Sequence, residues 1–191
     1  MGRRHKKARF KPDVYVFPGG MIERADRRAR PHTDLDPTIA SKLAVADCQA
    51  RARALAMAAV RETFEETGLL AGTQGDVGPS TDPSWSSFRQ LQLAPDLSKI
   101  HYLGRAVTPT DQPMRFHARF FFIDATQMHG TVTPSDELED LQWVAVGKPN
   151  SLPMMRVTEF MLETLMGRLS GTISKAPFIS FQNGAPRTLW Q

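Results

Sequence analysis

A single cysteine, Cys48, stands in the whole sequence. No disulfide can form within the chain, and a cysteine-rich metal site is excluded. A reducing, cytoplasmic setting is therefore the default expectation. Long apolar runs are missing as well. The longest, at residues 55–60 and 120–123, fall far short of the ~20 residues that a membrane-spanning helix needs. No apolar stretch of signal-peptide length follows the basic N-terminus, so neither a membrane partner nor a secretory leader is expected. Internal repeats and low-complexity tracts are absent too, which sets solenoid and fibrous architectures aside.

What is present is ordinary for an enzyme-sized domain: 191 residues, 41% hydrophobic and 23% charged. A chain of this length can bury a substantial core, and one domain over residues 1–191 is expected. The net charge is +4. Much of the excess sits in Arg3, Arg4, Lys6, Lys7, Arg9 and Lys11. This stretch reads either as a solvated basic arm or as a rim that attracts phosphate. No zinc-finger spacing or aromatic RNA motif accompanies it, so nucleic acid is not expected as a partner.

Along the chain, residues 14–17 are β-branched and aromatic and stop at Pro18-Gly19-Gly20, a strand running into a tight loop. Residues 24–38 read as an exposed loop. A helical stretch then runs from about Pro37 or Ile39 to Thr67, with a break near Asp47 and Gly68 placed as a left-handed cap. Residues 71–84 read as a loop, and a short helix is expected through Phe88, Leu91 and Leu93. Strands are expected at 101–107, 116–124 and 141–146, with a turn at 108–113 between the first two. A helix is expected at 152–169 and an extended tail at 171–191. Helices and strands interleave without βαβ regularity, so the expected class is α/β (α+β), a mixed sheet flanked by helices.

The chemistry concentrates in Arg61-Glu62-Thr63-Phe64-Glu65-Glu66-Thr67-Gly68-Leu69. On a helix, Glu62, Glu65 and Glu66 share one narrow face beside Arg61. Like charges at this spacing cost roughly 0.2–0.5 kcal/mol per pair, and the C-terminal end of a helix disfavours them further. A bound hard cation removes the conflict, because Mg²⁺ takes carboxylate oxygens and bridges them to phosphates. A merely solvated acidic face is the plainer alternative for this string taken alone.

The string does not stand alone. Gly20, an acidic residue six positions on, and Arg61 to Leu69 together resemble the Nudix box, G-x5-E-x7-R-E-U-x-E-E-x-G-U, where U is apolar. Thr63 is a soft fit to its apolar slot, and Asp26 stands where the pattern has glutamate. Between Asp26 and Arg61 lie 34 residues where the pattern has seven. This implies a helical insertion over residues 27–53, and the split resembles the branch that includes peroxisomal coenzyme A diphosphatases and their bacterial relatives. Residues 10–20 and 115–121 resemble that branch as well. Such folds are α/β/α sandwiches that usually place a strand or two ahead of the double glycine. Only Met1 to Arg4 is available here, so either a strand begins upstream or the domain is shortened.

The resemblance implies an enzyme that hydrolyses the diphosphate link of a nucleotide-like small molecule. Coenzyme A or acyl-coenzyme A is the first candidate substrate, with ADP-ribose or a dinucleotide second; a nucleotide-binding module without catalysis is the competing class. Mg²⁺ or Mn²⁺ would be held by Glu62, Glu65 and Glu66 with the Gly20 carbonyl. Glu62 is a candidate general base oriented by Arg61, with Glu65 in contention because family members differ in the carboxylate they use. Asp26 reads as a salt-bridge or loop residue, and Glu23 is ambiguous. Glu137 and Glu139 are candidates for a further ligand or base, against an exposed acidic loop. Arg105, Arg115 and Arg119 are candidate phosphate contacts, with Arg115 and Arg119 on one strand face. Trp143, Phe116, Phe120, Phe121, Phe122, Met154 and Met155 are expected in the core, and His117 is expected to be structural. The insertion would cap the pocket or form a homodimer interface.

Overall fold

In the computed structural model, residues 1–8, 11–43, 46, 48–112, 114–146, 152–182 and 185–191 are described. Expectations resting on Phe10, Asp47, Pro113 and Gly184 lie outside these residues. The elements run β1 Gly2–Arg4, β2 Tyr15–Val16, α1 Pro37–Lys42, α2 Gln49–Thr67, β3 Leu70–Ala71, β4 Thr73–Gln74, α3 Pro83–Gln90 and β5 Leu93–Ala94. They continue with β6 His101–Val107, β7 His117–Phe122, β8 Met128–His129, β9 Leu138–Glu139, α4 Arg156–Leu169, β10 Pro177–Gln182 and β11 Ala185–Trp190. Short 3₁₀ turns occupy Leu97–Lys99 and Ala125–Gln127.

The central sheet has the order β11-β10-β6-β7, with β10 parallel to β6 and the other pairs antiparallel. It is mixed, as expected. On one face α2 buries Ala52, Ala56, Met57 and Val60 against Tyr102, with Phe121 packed alongside. On the other, Met161 of α4, flanked by Val157, Phe160 and Leu165, meets Leu103, Ala106 and Ile179. Helix, sheet and helix thus form three layers. Each fully buried side chain of Met57 or Met161 type contributes about 1.5–3 kcal/mol.

A register shift between Tyr102 and Gly104 opposite Phe121 and Phe120 interrupts the β6–β7 ladder. Such a bulge changes which residues share a face. Leu103 and Ala106 therefore both reach the α4 side. Phe120 and Phe122 follow them, while Phe121 turns to α2. Phe116 lies outside the strand and is exposed, so only three of the four expected phenylalanines pack.

A second sheet, β2-β1-β9, carries the front of the site. Gly2 pairs with Val16, and Arg3 pairs with both Tyr15 and Glu139. Residues 2–4 thus take the role of the strand before the double glycine. The strand expected at 141–146 is displaced to Leu138–Glu139. Leu138 is the residue that buries, and Asp140 turns the chain away at φ 47°. Trp143 consequently lies 72% exposed instead of in the core.

Other boundaries move for similar reasons. Asp82 accepts a hydrogen bond from the Trp85 amide and caps α3, which starts at Pro83 and ends at Gln90. Gln92 at φ 53° redirects the chain, so Leu91 is exposed and Leu93 joins β5. Among the described residues of 27–53, helix is confined to α1 and the start of α2, and the others are turn and coil apart from a single bridge of Thr33 to Asp96. The expected tail at 171–191 is extended but paired: β10 and β11 form a hairpin that completes the central sheet. Met154 and Met155, ahead of α4, are half-buried. Among the described residues no helix is long and apolar enough to cross a membrane.

Candidate active site

The site is built at the C-terminal half of α2. Gly68 adopts φ 75° and its amide donates to the Phe64 carbonyl, the left-handed cap that the sequence predicts. The Thr133 amide donates to Thr67 O at 2.8 Å, which ties the loop after β8 to the helix end. That tie brings residues 134–137 over the acidic face. Glu62, Glu65, Glu66, Pro134, Ser135, Asp136 and Glu137 line an open cleft of about 660 Å³. Thr63, in its nominally apolar slot, donates its hydroxyl to Ala59 O at 2.7 Å. The polar group is satisfied within the helix, which is why threonine is tolerated there.

Arg61 organises the near wall. Its side chain is 2% exposed, and Asp26 beside it is fully buried. Nε and Nη2 donate to the two Asp26 oxygens at 2.8 and 3.1 Å. Nη2 also donates to Met21 O at 2.9 Å and Nη1 to Glu65 at 2.8 Å, while Glu62 lies 2.9 Å away. Burial works against the Arg61 charge, but the hydrogen bond and charge of Asp26, then Glu62 and Glu65, hold its pKa above the ordinary value. Asp26 further accepts from Trp85 Nε1 at 3.2 Å and from the Glu23 amide at 2.7 Å. It is a salt-bridge residue, as its sequence reading favoured, and Glu23 serves it through the backbone.

The three helix carboxylates divide. Glu65 is tied to Arg61 and accepts from Ser84 Oγ at 2.7 Å. Glu66, 5% exposed, accepts from the Gly19 amide at 2.9 Å. Burial drives its pKa up to about 8; the Gly19 bond and Arg4 oppose that rise, while Glu62 and Glu137 add to it. Glu62 is raised by burial as well, Arg61 pulling it down and Glu65 and Glu137 pushing it up. Two poorly solvated carboxylates therefore stand beside the double-glycine loop with their charge incompletely compensated.

Gly20 has to be glycine for a steric reason. A Cβ there would lie 2.3 Å from Glu62 Oε1. Gly20→Ala is expected to push the Glu62 carboxylate aside and to weaken Mn²⁺ binding roughly ten- to hundred-fold, as loss of supporting contacts does at metal sites. The melting temperature should change little. Titration calorimetry with Mn²⁺ checks this; unaltered affinity would refute it.

The outer candidates separate cleanly. Glu137 lines the cleft, whereas Glu139 pairs with Arg3 at 3.2 Å and His5 at 3.3 Å. Arg105 and Arg119 face each other across β6 and β7 and do not line the cleft. Arg105 stacks on Phe178, 3.7 Å from the ring centre, and meets His117 at 3.2 Å and Gln191 at 3.3 Å. Arg119 donates to Leu43 O at 3.1 Å. Arg115 is exposed ahead of β7, so the shared strand face expected for Arg115 and Arg119 does not form. His117 titrates low, near about 4, through burial and the two arginines.

Sequence reasoning missed Ser84 and Trp85. Asp82-Pro83 is a legible helix start that would have placed Ser84 and Trp85 on a helix. Nothing in the sequence signals that this helix packs against Asp26.

No protein-family profile matches the chain. A NUDIX hydrolase from Alicyclobacillus acidocaldarius is similar in structure, with a TM-score of 0.61 and 28% identity over 85% of this chain and 80% of that one. A Caenorhabditis elegans protein carrying the name nudix hydrolase 7 is 23% identical over 156 residues. That match takes in 75% of this chain and 45% of the relative, so the chain spans under half of the relative's length.

Proposed function

We propose, starting from its likeness to Nudix hydrolases in sequence and fold, that this chain is a pyrophosphohydrolase acting on a nucleoside diphosphate derivative. The observation that carries the reading is the pair Glu62 and Glu66. Glu66 is buried beside Gly19 and Glu62 half-buried beside Gly20, and both are raised in pKa by lost solvation and by neighbouring carboxylates. A stability-driven sequence gains nothing from that arrangement; perturbed carboxylates in a cleft mark functional sites.

The donors present fit a divalent ion. Among the described residues no three acidic, imidazole or thiol groups are gathered around one point. Glu62 and Glu66, which line the cleft together, would hold the ion with the Gly20 carbonyl. That is the small, oxygen-only complement used by Mg²⁺, which keeps several waters and takes phosphate oxygens from the substrate. When bound, such an ion supplies charge neutralisation for the diphosphate and a more acidic water.

The chain's own groups do the remainder. Arg61 and Ser84 fix Glu65 at the cleft wall, where it or Glu62 takes the proton of the attacking water. The water oxygen bonds to one phosphorus, the bridging P–O bond breaks, and the second phosphate departs with the bonding electrons. Glu137, which lines the same cleft, would hold a second ion or orient the water, while Glu139 is paired with Arg3 and His5. Coenzyme A or acyl-coenzyme A is the first substrate to try, with ADP-ribose and dinucleotides next. Residues 27–53, in this reading, are an insertion within the motif.

The test is chromatographic product analysis after incubation with coenzyme A, ADP-ribose and a dinucleotide, with Mg²⁺, with Mn²⁺ and with chelator. Metal-dependent release of adenosine 3′,5′-bisphosphate and phosphopantetheine supports both class and substrate. Cleavage of another member of the set keeps the class and replaces the substrate. Folded, metal-binding protein that cuts none of them favours a nucleotide-binding module.

A further inference from the structure

Five carboxylates line the cleft: Glu62, Glu65, Glu66, Asp136 and Glu137. Among the described residues lining it there is no lysine or arginine. Arg61, behind the wall, is fully engaged by Asp26, Glu62, Glu65 and Met21. A diphosphate carries negative charge of its own, so beyond what a divalent ion at Glu62 and Glu66 would neutralise, its remaining oxygens face carboxylates unless a fixed cation meets them.

One basic side chain is placed to change this. β1 brings Arg4 opposite Leu138, and the following amide, His5 N, donates to Glu137 O. Successive residues of a strand face opposite ways. Arg3 accordingly turns outward to Asp13 and Glu139. Arg4 turns inward, and its charge acts on Glu66. Its Nε is buried with no hydrogen-bond partner. Among the described residues its guanidinium makes no ion pair, although its charge reaches Glu66. A buried, unpartnered donor is rare in folded proteins, and here it marks a guanidinium that the fold itself does not engage. A guanidinium fork suits the paired oxygens of a phosphate.

We infer that Arg4 is a substrate-binding residue, extending its guanidinium into the cleft to hold the phosphate oxygens that face away from Glu62 and Glu66. The assignment rests on the diphosphate-hydrolase reading. Of the six basic residues near the N-terminus, it makes one a phosphate contact and assigns Arg3 to the fold. An arginine in this position also answers a problem of selectivity: a cleft of carboxylates attracts cations of every kind, and the fixed fork favours a ligand bearing phosphate.

Calorimetric titration of methylenediphosphonate, a diphosphate that water cannot split, into protein saturated with Mn²⁺ tests this. Wild type, Arg4→Met and Arg4→Lys are compared, each also titrated with Mn²⁺ alone. Arg4→Met is expected to weaken diphosphonate binding roughly ten- to hundred-fold, the range for a charge-assisted contact. Arg4→Lys should fall between, since it keeps the charge and loses the fork. Affinity for Mn²⁺ alone should stay level or rise, because a cation near Glu66 has been removed. Equal diphosphonate affinity in wild type and Arg4→Met overturns the inference. So does a parallel loss of Mn²⁺ affinity, which would make Arg4 structural. Wild-type protein that binds Mn²⁺ but no diphosphonate overturns the diphosphate reading itself, and the role of Arg4 falls with it.

Discussion

Glu66→Gln is expected to abolish metal-dependent hydrolysis and, in the same protein, to raise the melting temperature of the metal-free form at alkaline pH. The first effect follows from removing a charged oxygen donor. Loss of about 4 kcal/mol of transition-state stabilisation corresponds to roughly a thousand-fold in rate. The second follows from the raised pKa of Glu66, about 8 against the ordinary 4.5 of a glutamate. Below about pH 4.5 the group is protonated in both folded and unfolded chains and has no net effect. As pH rises to 8 the unfolded carboxyl ionises first, so folding has to hold a proton against solution. Stability falls across that window and levels off above it. The upper limit is about 4–5 kcal/mol at 1.36 kcal/mol per unit, reduced in practice by water reaching the cleft.

Glutamine keeps the shape and never ionises, so the variant's advantage should grow from pH 5 to pH 8 and then hold. Melting curves in chelator at pH 5.5, 7 and 9 measure it. A variant whose advantage over wild type is no larger at pH 9 than at pH 5.5 would show that Glu66 is not held protonated. Divalent metal competes with the same proton, so metal affinity should climb with pH up to about 8 and release a proton on binding.

Asp26→Ala is expected to be the most destabilising single change at the site. It leaves the Arg61 guanidinium, 2% exposed, without its main counter-charge and removes an acceptor from Trp85 Nε1. Breaking one side of a buried pair costs about 3–5 kcal/mol. For a chain of this size that lowers the melting temperature by roughly 10 °C. Replacing both partners with apolar residues, Asp26→Leu with Arg61→Met, should recover part of the loss, because no lone buried charge remains. Urea unfolding of the three proteins decides it; a cost below about 1 kcal/mol for Asp26→Ala would mean that water or Glu62 takes over the pairing.

Much of the helix was legible in the sequence. Arg61, Glu62, Glu65, Glu66 and Gly68 announce their face and their cap by spacing alone, and residues 14–20 announce the strand and loop that meet them. The flanking strand was not. A tryptophan among apolar residues drew the expected strand to 141–146, but Asp140 at positive φ ends the pairing before Trp143 is reached. The arginines on β6 and β7 lie outside the cleft lining because the register shift near Leu103 turns Arg105 toward Tyr102 and Arg119, a reorientation no periodicity reveals. For Arg4 the sequence left a solvated arm and a phosphate-attracting rim both open, since its direction depends on pairing with a strand 134 positions away. Where neighbours along the chain set the outcome the sequence could be read; where a distant partner set it, it could not.

The Asp26–Arg61 pair has a consequence for the integrity of the chain. It joins two segments 35 positions apart, with Arg27, Arg28 and Arg30 exposed in the turns just beyond Asp26. A protease cutting after one of these residues would sever the polypeptide without separating the halves of the site. The N-terminal fragment would remain held by β1 in its sheet, by the Gly19 and Met21 hydrogen bonds and by the buried carboxylate. The protein would then behave as two complementing fragments, and a gel showing two bands would not signify a dead enzyme.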